Sequence, residues 1–328
     1  MQKTIRKLLA GVALLTPFVY ASAQVTNYPN FTEVIVGFRA TGAPGQSWNL
    51  EVNIGAVSNF YNAAAGTIIP LPALAVQDLV DTYGANWSTR TDLVWGAIST
   101  TGRADGTPDG HAPVGTLWAT APDGQAAWNR KSASAQKGAS ATIELIFVPG
   151  SAGTLYGAPA TTNSPTAAVI DATLAGSWTK QDLLALGQSF AYFNPTIDNY
   201  VTNPVVGRSI SQLYELLPSS SVGVPGTLLG NLVLTPSGLS FQAPVALSVL
   251  SIARSSNDIV VAWTAPGGST NALQATFGSN GSYATNGFAD ISGQITNPGI
   301  ATTAVTNYFT DSFGATNQAR YYRVRQVP

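Results

Sequence analysis

The chain has no cysteine, a single histidine and a charged fraction of only 9%. Without cysteine it has neither disulfides nor thiolate metal sites, so core burial alone must hold the fold together. A Ser-His-Asp hydrolase would have to use His111, and no Gly-x-Ser-x-Gly elbow accompanies it. Few charges also mean weak repulsion between copies, which favours self-association.

The first 23 residues have the three-part organisation of a secretory signal peptide. Three cationic side chains among the first seven residues precede an apolar segment at 8–19, and Ala-Ser-Ala at 21–23 supplies a cleavage site. This apolar segment is too short for a permanent transmembrane anchor, which predicts Sec-type secretion to the extracellular space or cell surface. Three of the 15 basic residues leave with the peptide, so 12 face 16 acidic ones, a formal charge of −4. That balance predicts no nucleic-acid partner.

Alternation of apolar and polar residues dominates the rest of the chain. Along residues 48–54, four apolar side chains alternate with Asn49, Glu51 and Asn53, as in a half-buried antiparallel strand. Further strands are predicted at 34–39, 93–98, 114–120, 142–148 and 228–234. Turn sequences separate them, including Pro-Asp-Gly at 108–110 and at 122–124.

Helical signals are few. Apolar residues at helical spacing run from Leu74 to Tyr83 and stop at Gly84, which can act as a C-cap. Ser164-Pro165 predicts the start of a short helix through Leu174, and 210–217 predicts one more helix of a turn or two. Strands outnumber helices, which favours a β-sandwich decorated with short helices over residues 24–243.

After residue 244 the pattern becomes a compact series of short strands. They are predicted at 247–253, 258–264, 271–277, 302–309 and 320–327. This spacing is typical of a small immunoglobulin-like or fibronectin-III-like β-sandwich, which we place at 246–328. The expected fold class is therefore mainly β throughout, with two domains after the signal peptide.

Three segments of the tail resemble the Ig/fibronectin-III-like domain that closes many secreted verrucomicrobial-type proteins. They are Asp258-Ile-Val-Val-Ala-Trp263, Ala272-Leu-Gln274 and Arg320-Tyr-Tyr-Arg-Val-Arg325. The resemblance implies that Trp263 packs the core and that Tyr321 or Tyr322 holds a corner. A seventh strand would be expected where this sequence ends, so either one sheet edge is open or another segment fills it.

Short segments of the first domain resemble the exported β-proteins of the PEP-CTERM family. They are Val36-Gly-Phe38, Gly84-Ala-Asn-Trp-Ser88, Val94-Trp-Gly96, Asn163-Ser-Pro165, Gln212-Leu-Tyr214 and Leu229-Gly-Asn-Leu232. The sequence lacks the Pro-Glu-Pro element and C-terminal membrane helix of that family, so the resemblance implies export and a β fold but no such anchoring.

Oxygen-bearing side chains cluster around the only histidine. Asp105 and Asp109 precede His111, and Asp123 follows fourteen residues after Asp109. A hard cation takes several oxygens from a tight loop. Asp105 and Asp109 are therefore candidate ligands of Ca²⁺, which is the only cofactor that the sequence suggests. The alternative is a pair of hairpin turns.

Two further chemistries remain open at the level of sequence. An exposed indole can stack on a sugar ring, and Trp87 and Trp128 are the candidates because polar residues flank them, whereas Trp48 and Trp95 are expected to be buried. A glycoside hydrolase needs two facing carboxylates, for which Glu51 and Glu144 on predicted strands are available.

These observations favour an exported, non-enzymatic protein of the cell surface or extracellular matrix with a structural or adhesive role. Its expected partners are other copies of the chain or other surface proteins, reached by strand pairing at the open edge of the tail. The alternative is a secreted carbohydrate-binding module with a polysaccharide partner, and a glycoside hydrolase is a distant third.

Overall fold

The computed structural model describes residues 32–147, 166–182, 193, 196–202, 207–221, 223–279, 282–283, 286–299, 303–316 and 319–327. The protein is mainly β, with 46% strand and four short helices in this part of the chain. The helices are α1 (Ser58–Tyr61), α2 (Val76–Tyr83), α3 (Ala133–Phe147) and α4 (Trp178–Asp182). None of the described helices is long and apolar enough to cross a membrane.

Ten strands form one large antiparallel sheet. They are β1 (Glu33–Ala40), β2 (Trp48–Ala56), β3 (Ile68–Pro70), β4 (Leu93–Thr100), β5 (Leu117–Pro122), β6 (Ala167–Asp171), β7 (Asn199–Tyr200), β8 (Ser209–Leu216), β9 (Thr227–Thr235) and β10 (Gly238–Gln242). Their order is β3-β10-β9-β8-β5-β4-β1-β2-β6, and β7 pairs with β4. The predicted mainly β class is confirmed, as are the strands at 34–39, 48–54, 93–98 and 228–234.

The large sheet curls so that its two ends share one apolar core. This cluster contains Val36 and Leu50 from β1 and β2 together with Leu232 and Phe241 from β9 and β10. Helix α1 lies inside the curl, where the ring of Phe60 contacts that of Phe241 edge-on at 4.9 Å between centroids. The concave face of the half-barrel is therefore the main core of the protein.

The other face of the sheet is covered by α3 and α4. Trp178 of α4 is fully buried and lies directly on Gly37, where a Cβ atom would be 1.9 Å from the indole ring. Only a residue without a side chain lets the indole approach the sheet this closely. Asn49 holds the start of α4, because its Oδ1 accepts the Thr179 amide at 2.7 Å. The polar face of β2 is thus buried under α4 and not exposed to water.

Helix α2 confirms the prediction for 74–83 and ends as the sequence indicates. Gly84 has a φ of 93° and its N–H donates to the carbonyl of Val80 at 2.8 Å. Only glycine adopts that conformation without strain. The hydroxyl of Tyr83, the last residue of α2, donates to the Phe38 carbonyl at 2.7 Å and accepts the Leu50 amide at 3.0 Å.

The strand predicted at 142–148 is wrong where it is described, because residues 133–147 form α3. Alternation of Ile143, Leu145 and Phe147 imitates a strand over a few residues. Over the longer segment, the buried residues Gln136, Ser140 and Ile143 recur at spacings of four and three. That helical period, in an alanine-rich segment, decides the conformation.

Two predicted helices are strands. Residues 209–216 form β8, which is paired on both sides by β5 and β9, so inter-strand hydrogen bonds override the local pattern. Of the helix predicted from Ser164 to Leu174, residues 167–171 form β6 beside β2. Ser164 and Pro165 lie outside the described residues.

The tail contains two small antiparallel sheets, as the five predicted strand runs indicate. Its strands are β11 (Ser248–Ser255), β12 (Asp258–Pro266), β13 (Thr270–Ser279), β14 (Ser282–Tyr283), β15 (Ala289–Asp290), β16 (Ile295–Thr296), β17 (Ala304–Asp311) and β18 (Arg320–Val327). One sheet has the order β11-β12-β17, and in the other β14, β15, β16 and β18 all pair with β13. Both sheets contribute to one apolar cluster around Trp263.

Candidate functional site

Strand β11 is exposed along its whole length. Its eight residues pair with β12 alone among the described strands, so its other edge is open. The side chains of Val249, Leu250 and Ile252 are 40%, 56% and 52% exposed. Arg254 is the only charged residue of the strand. An exposed edge with apolar side chains and little charge offers both the hydrogen-bonding groups and the surface for another strand.

The apolar face of the small sheet continues uncovered onto β11. Val249 stands opposite the buried Trp263, and Ile252 opposite the buried Val261. Directly opposite residues point to the same face, so Val249 and Ile252 extend the core face beyond the residues that bury it. The pairing slips by one residue between Val249 and Ser251, which leaves Leu250 without a partner on β12. We call Val249, Leu250 and Ile252 the edge patch.

The only histidine belongs to a second candidate site, which lies against the neighbouring strands β5 and β8 of the large sheet. The His111 ring stacks on Tyr61 with 3.8 Å between centroids, and its Nε2 lies 2.8 Å from Oε1 of the buried Glu215. The indole N–H of Trp118 donates to the same oxygen at 3.2 Å. The Tyr61 hydroxyl donates to Asp109, whose Oδ1 accepts the His111 amide at 3.0 Å.

This arrangement, the His111 cluster, is a continuous series of hydrogen bonds from Trp118 to Tyr61. The bond from the Tyr61 hydroxyl, followed by that from the His111 amide, lowers the pKa of Asp109 to about 2. Burial, followed by the bond to Asp109, raises the pKa of Tyr61 above its ordinary value. The cluster fastens the loop after β4 to the middle of the sheet. No sequence motif indicates this cluster, because His111 and Glu215 are 104 positions apart.

Replacing His111 should therefore cost stability. We expect His111→Ala to lower the free energy of unfolding by about 1–2 kcal/mol, because it removes the ring stack and leaves the buried Glu215 with one donor fewer. Urea denaturation measures the change. Asp105→Ala is the matched control, since Asp105 is an exposed residue of the same loop. Equal losses in the two variants would contradict a specific role for the cluster.

The structure gives no support to the predicted calcium site. Asp109 accepts bonds from Tyr61 and His111, while Asp105 is exposed. Within the described part of the chain, no three His, Cys, Asp or Glu side chains are grouped so as to hold a metal ion. The sequences at 108–110 and 122–124 form turns whose glycines have φ of 73° and 82°, the first within the loop between β4 and β5 and the second between β5 and α3, so neither is a tight hairpin turn.

The predicted exposure of the tryptophans is wrong in three cases. Trp87 and Trp128 are only 3% and 6% exposed, which removes the free ring faces that sugar stacking requires. Trp87 packs in the concave core, and Trp128 contacts Phe193 edge-on while its N–H donates to the Thr120 carbonyl at 2.9 Å. Trp48, expected to be buried, is 45% exposed at the start of β2.

The two candidate hydrolase carboxylates are both buried, and they lie on different kinds of element. Glu144 is in α3, where its oxygens accept the amide of Arg103 at 2.8 Å and the Arg103 Nε–H at 2.9 Å. Glu51 is fully buried on β2, and neither oxygen has a partner in hydrogen-bonding geometry. Burial raises its pKa to about 8, with only partial relief from the nearby Trp178 amide. The expectation that both residues lie on strands is wrong for Glu144.

No protein-family model, curated protein or solved structure matches this chain.

Proposed function

We propose that this chain is an exported, non-enzymatic protein of the cell surface or extracellular matrix, with a structural or adhesive role exerted through the β11 edge. The exposed edge patch is the observation that carries this proposal. Sec-type export rests on the leader at residues 1–23. The proposal of a non-enzymatic role is supported by the burial of Glu51 and Glu144, the two carboxylates that a glycoside hydrolase was expected to use.

In its finer fold we propose that the tail is an immunoglobulin-like or fibronectin-III-like sandwich. Trp263, on the second tail strand, is fully buried and its N–H donates to Asn271 Oδ1 at 2.7 Å. Tyr322, on the last strand, donates its hydroxyl to Asp311 Oδ2 at 2.8 Å and so ties the two sheets together. These are the core and corner roles that such a domain requires. The β-sandwich expected over 24–243 is instead one curled antiparallel sheet whose two ends enclose a core.

The partner that best fits the β11 edge is a second copy of this chain. Two β11 strands paired antiparallel bring the edge patch of one copy beside that of the other, as a twofold-symmetric interface requires. One arginine per strand and a formal charge of −4 after loss of the leader oppose this approach only weakly. Pairing also covers the apolar side chains that β11 leaves in water.

Light scattering after size exclusion tests this proposal on residues 24–328. We expect the parent protein to form dimers or larger assemblies at tens of micromolar, and Leu250→Lys combined with Ile252→Lys to weaken association at least tenfold. The matched control is Leu145→Lys, because Leu145 is an exposed apolar residue of α3 and a helix cannot accept a strand. A parent protein that stays monomeric, or a double variant that assembles like the parent, would overturn the proposal.

A further inference from the structure

A cleft of about 630 Å³ opens at the end of the large sheet where β1 begins and β2 ends. Its lining includes the polar side chains of Glu33, Asn53 and Asn59 and the apolar residues Pro70 and Pro72. The volume is within the range of small-molecule sites.

The polar groups of this cleft are partly fixed and partly available. Asn53 Oδ1 accepts the Gly55 amide at 2.8 Å, and the Asn53 side chain also bonds to Glu33. The bond to Asn53 holds the Glu33 carboxyl in the lining of the cleft. The side-chain amide of Asn59 has no hydrogen-bonding partner among the described residues and is exposed. The side-chain amide of Asn59 is therefore free to bond a ligand. So is the part of the Glu33 carboxyl that the Asn53 side chain does not bond.

The charge of the lining restricts the class of ligand. Among the described residues that line the cleft there is no lysine, arginine or histidine, so these residues offer an anion no cationic partner. Glu33 is the only acid among them, and burial raises the pKa of that carboxyl, which disfavours the charged form that a cationic ligand needs. The lining fits a neutral molecule that has hydroxyl groups on one side and C–H groups on the other.

We infer that this cleft binds a neutral carbohydrate of about the size of a disaccharide. Asn59 and Glu33 hydrogen-bond the hydroxyls, and the exposed side chains of Pro70 and Pro72 contact the C–H face of a sugar ring. This site shares no residue with the β11 edge, so it does not depend on self-association. It also differs from the indole stacking expected at Trp87 and Trp128, because neither tryptophan lines the cleft and none of the described lining residues is aromatic.

Saturation-transfer NMR and calorimetry test the inference on residues 24–328. The probes are neutral α- and β-linked disaccharides of glucose, xylose and N-acetylglucosamine, with glucosamine and glucuronate disaccharides as charged comparisons. We expect at least one neutral disaccharide to bind with millimolar or better affinity. Asn59→Ala should weaken that binding at least tenfold, whereas Glu33→Gln, which keeps a hydrogen-bonding group of the same size, should retain it.

Asn62→Ala is the matched control, because Asn62 is also exposed, follows the same helix and does not line the cleft. It should bind the neutral disaccharide as the parent does. Three results would each overturn the inference: no transfer to any neutral probe at ten millimolar, equal affinity in the Asn59 and Asn62 variants, or binding of the charged sugars alone.

Discussion

Glu51→Gln should make the protein more stable at neutral and alkaline pH and leave it unchanged in acid. The buried carboxyl has its pKa raised to about 8, against an ordinary value of 4.5 in the unfolded chain. Below pH 4.5 both states are protonated. Between 4.5 and about 8 only the unfolded state loses the proton, so the free energy of unfolding falls by up to about 1.4 kcal/mol per pH unit. Above that window both states are ionised and the slope ends.

Urea denaturation of the parent and of Glu51→Gln, at intervals from pH 4.5 to 8.5, measures this effect. The two curves should meet near pH 4.5 and diverge to roughly 4 kcal/mol at pH 8, because glutamine fills the same volume and cannot ionise. The measurement at pH 4.5 is the internal control for any change in packing. Parallel curves would show that Glu51 is solvated or paired in the folded protein, contrary to its burial under α4.

Gly37→Ala should destabilise the protein by about 3 kcal/mol or more. The new methyl group would lie 1.9 Å from a carbon of the Trp178 ring, so the indole would have to leave its place on the sheet. Displacing it breaks the bond from the Trp178 N–H to Asp198 Oδ1 at 2.9 Å. It also disturbs the ion pair of Asp198 with Arg39, whose Nε is 2.8 Å from the carboxylate.

Denaturation followed by tryptophan fluorescence measures this loss, since Trp178 should also become more exposed. Gly138→Ala is the matched control with the opposite sign. Gly138 is an exposed residue inside α3 with no atom within 4 Å of the added methyl group, so alanine should stabilise the helix by up to about 1 kcal/mol. A Gly37 variant as stable as the parent would mean that Trp178 does not pack on β1.

The sequence pattern correctly predicted those elements whose conformation is determined by their own adjacent residues. Alternation along β2 and the glycine stop of α2 are of this kind, because each depends on a few adjacent positions. The strands at 167–171 and 209–216 could not be predicted in this way. Their conformation depends on hydrogen bonds to β2, β5 and β9, which come from distant parts of the chain.

The same distinction explains the errors at candidate sites. The alternation that identified β2 also suggested that Glu51 faces water or a cleft. In the structure α4 covers that face of β2. The residues next to Glu51 in sequence contain no indication of this helix. Polar neighbours suggested that Trp128 is exposed, yet Phe193 and Thr120 enclose it. The edge proposed as the interaction surface is that of β11, the first tail strand, whereas the edge that the resemblance implied follows the last strand, so a count of strands did not locate it.

The strand order of the large sheet also determines how the protein can fold. β3 reaches its only neighbour when Ile68 pairs with Gln242, and β2 gains its second neighbour when Val52 pairs with Ala167. Contacts between such distant residues close large loops and are typical of slow folding, in milliseconds to seconds. The sheet cannot be completed until residue 242 has emerged from the ribosome. Until then the chain stays open, which is the state that the proposed Sec-type export would require for threading through a translocation channel.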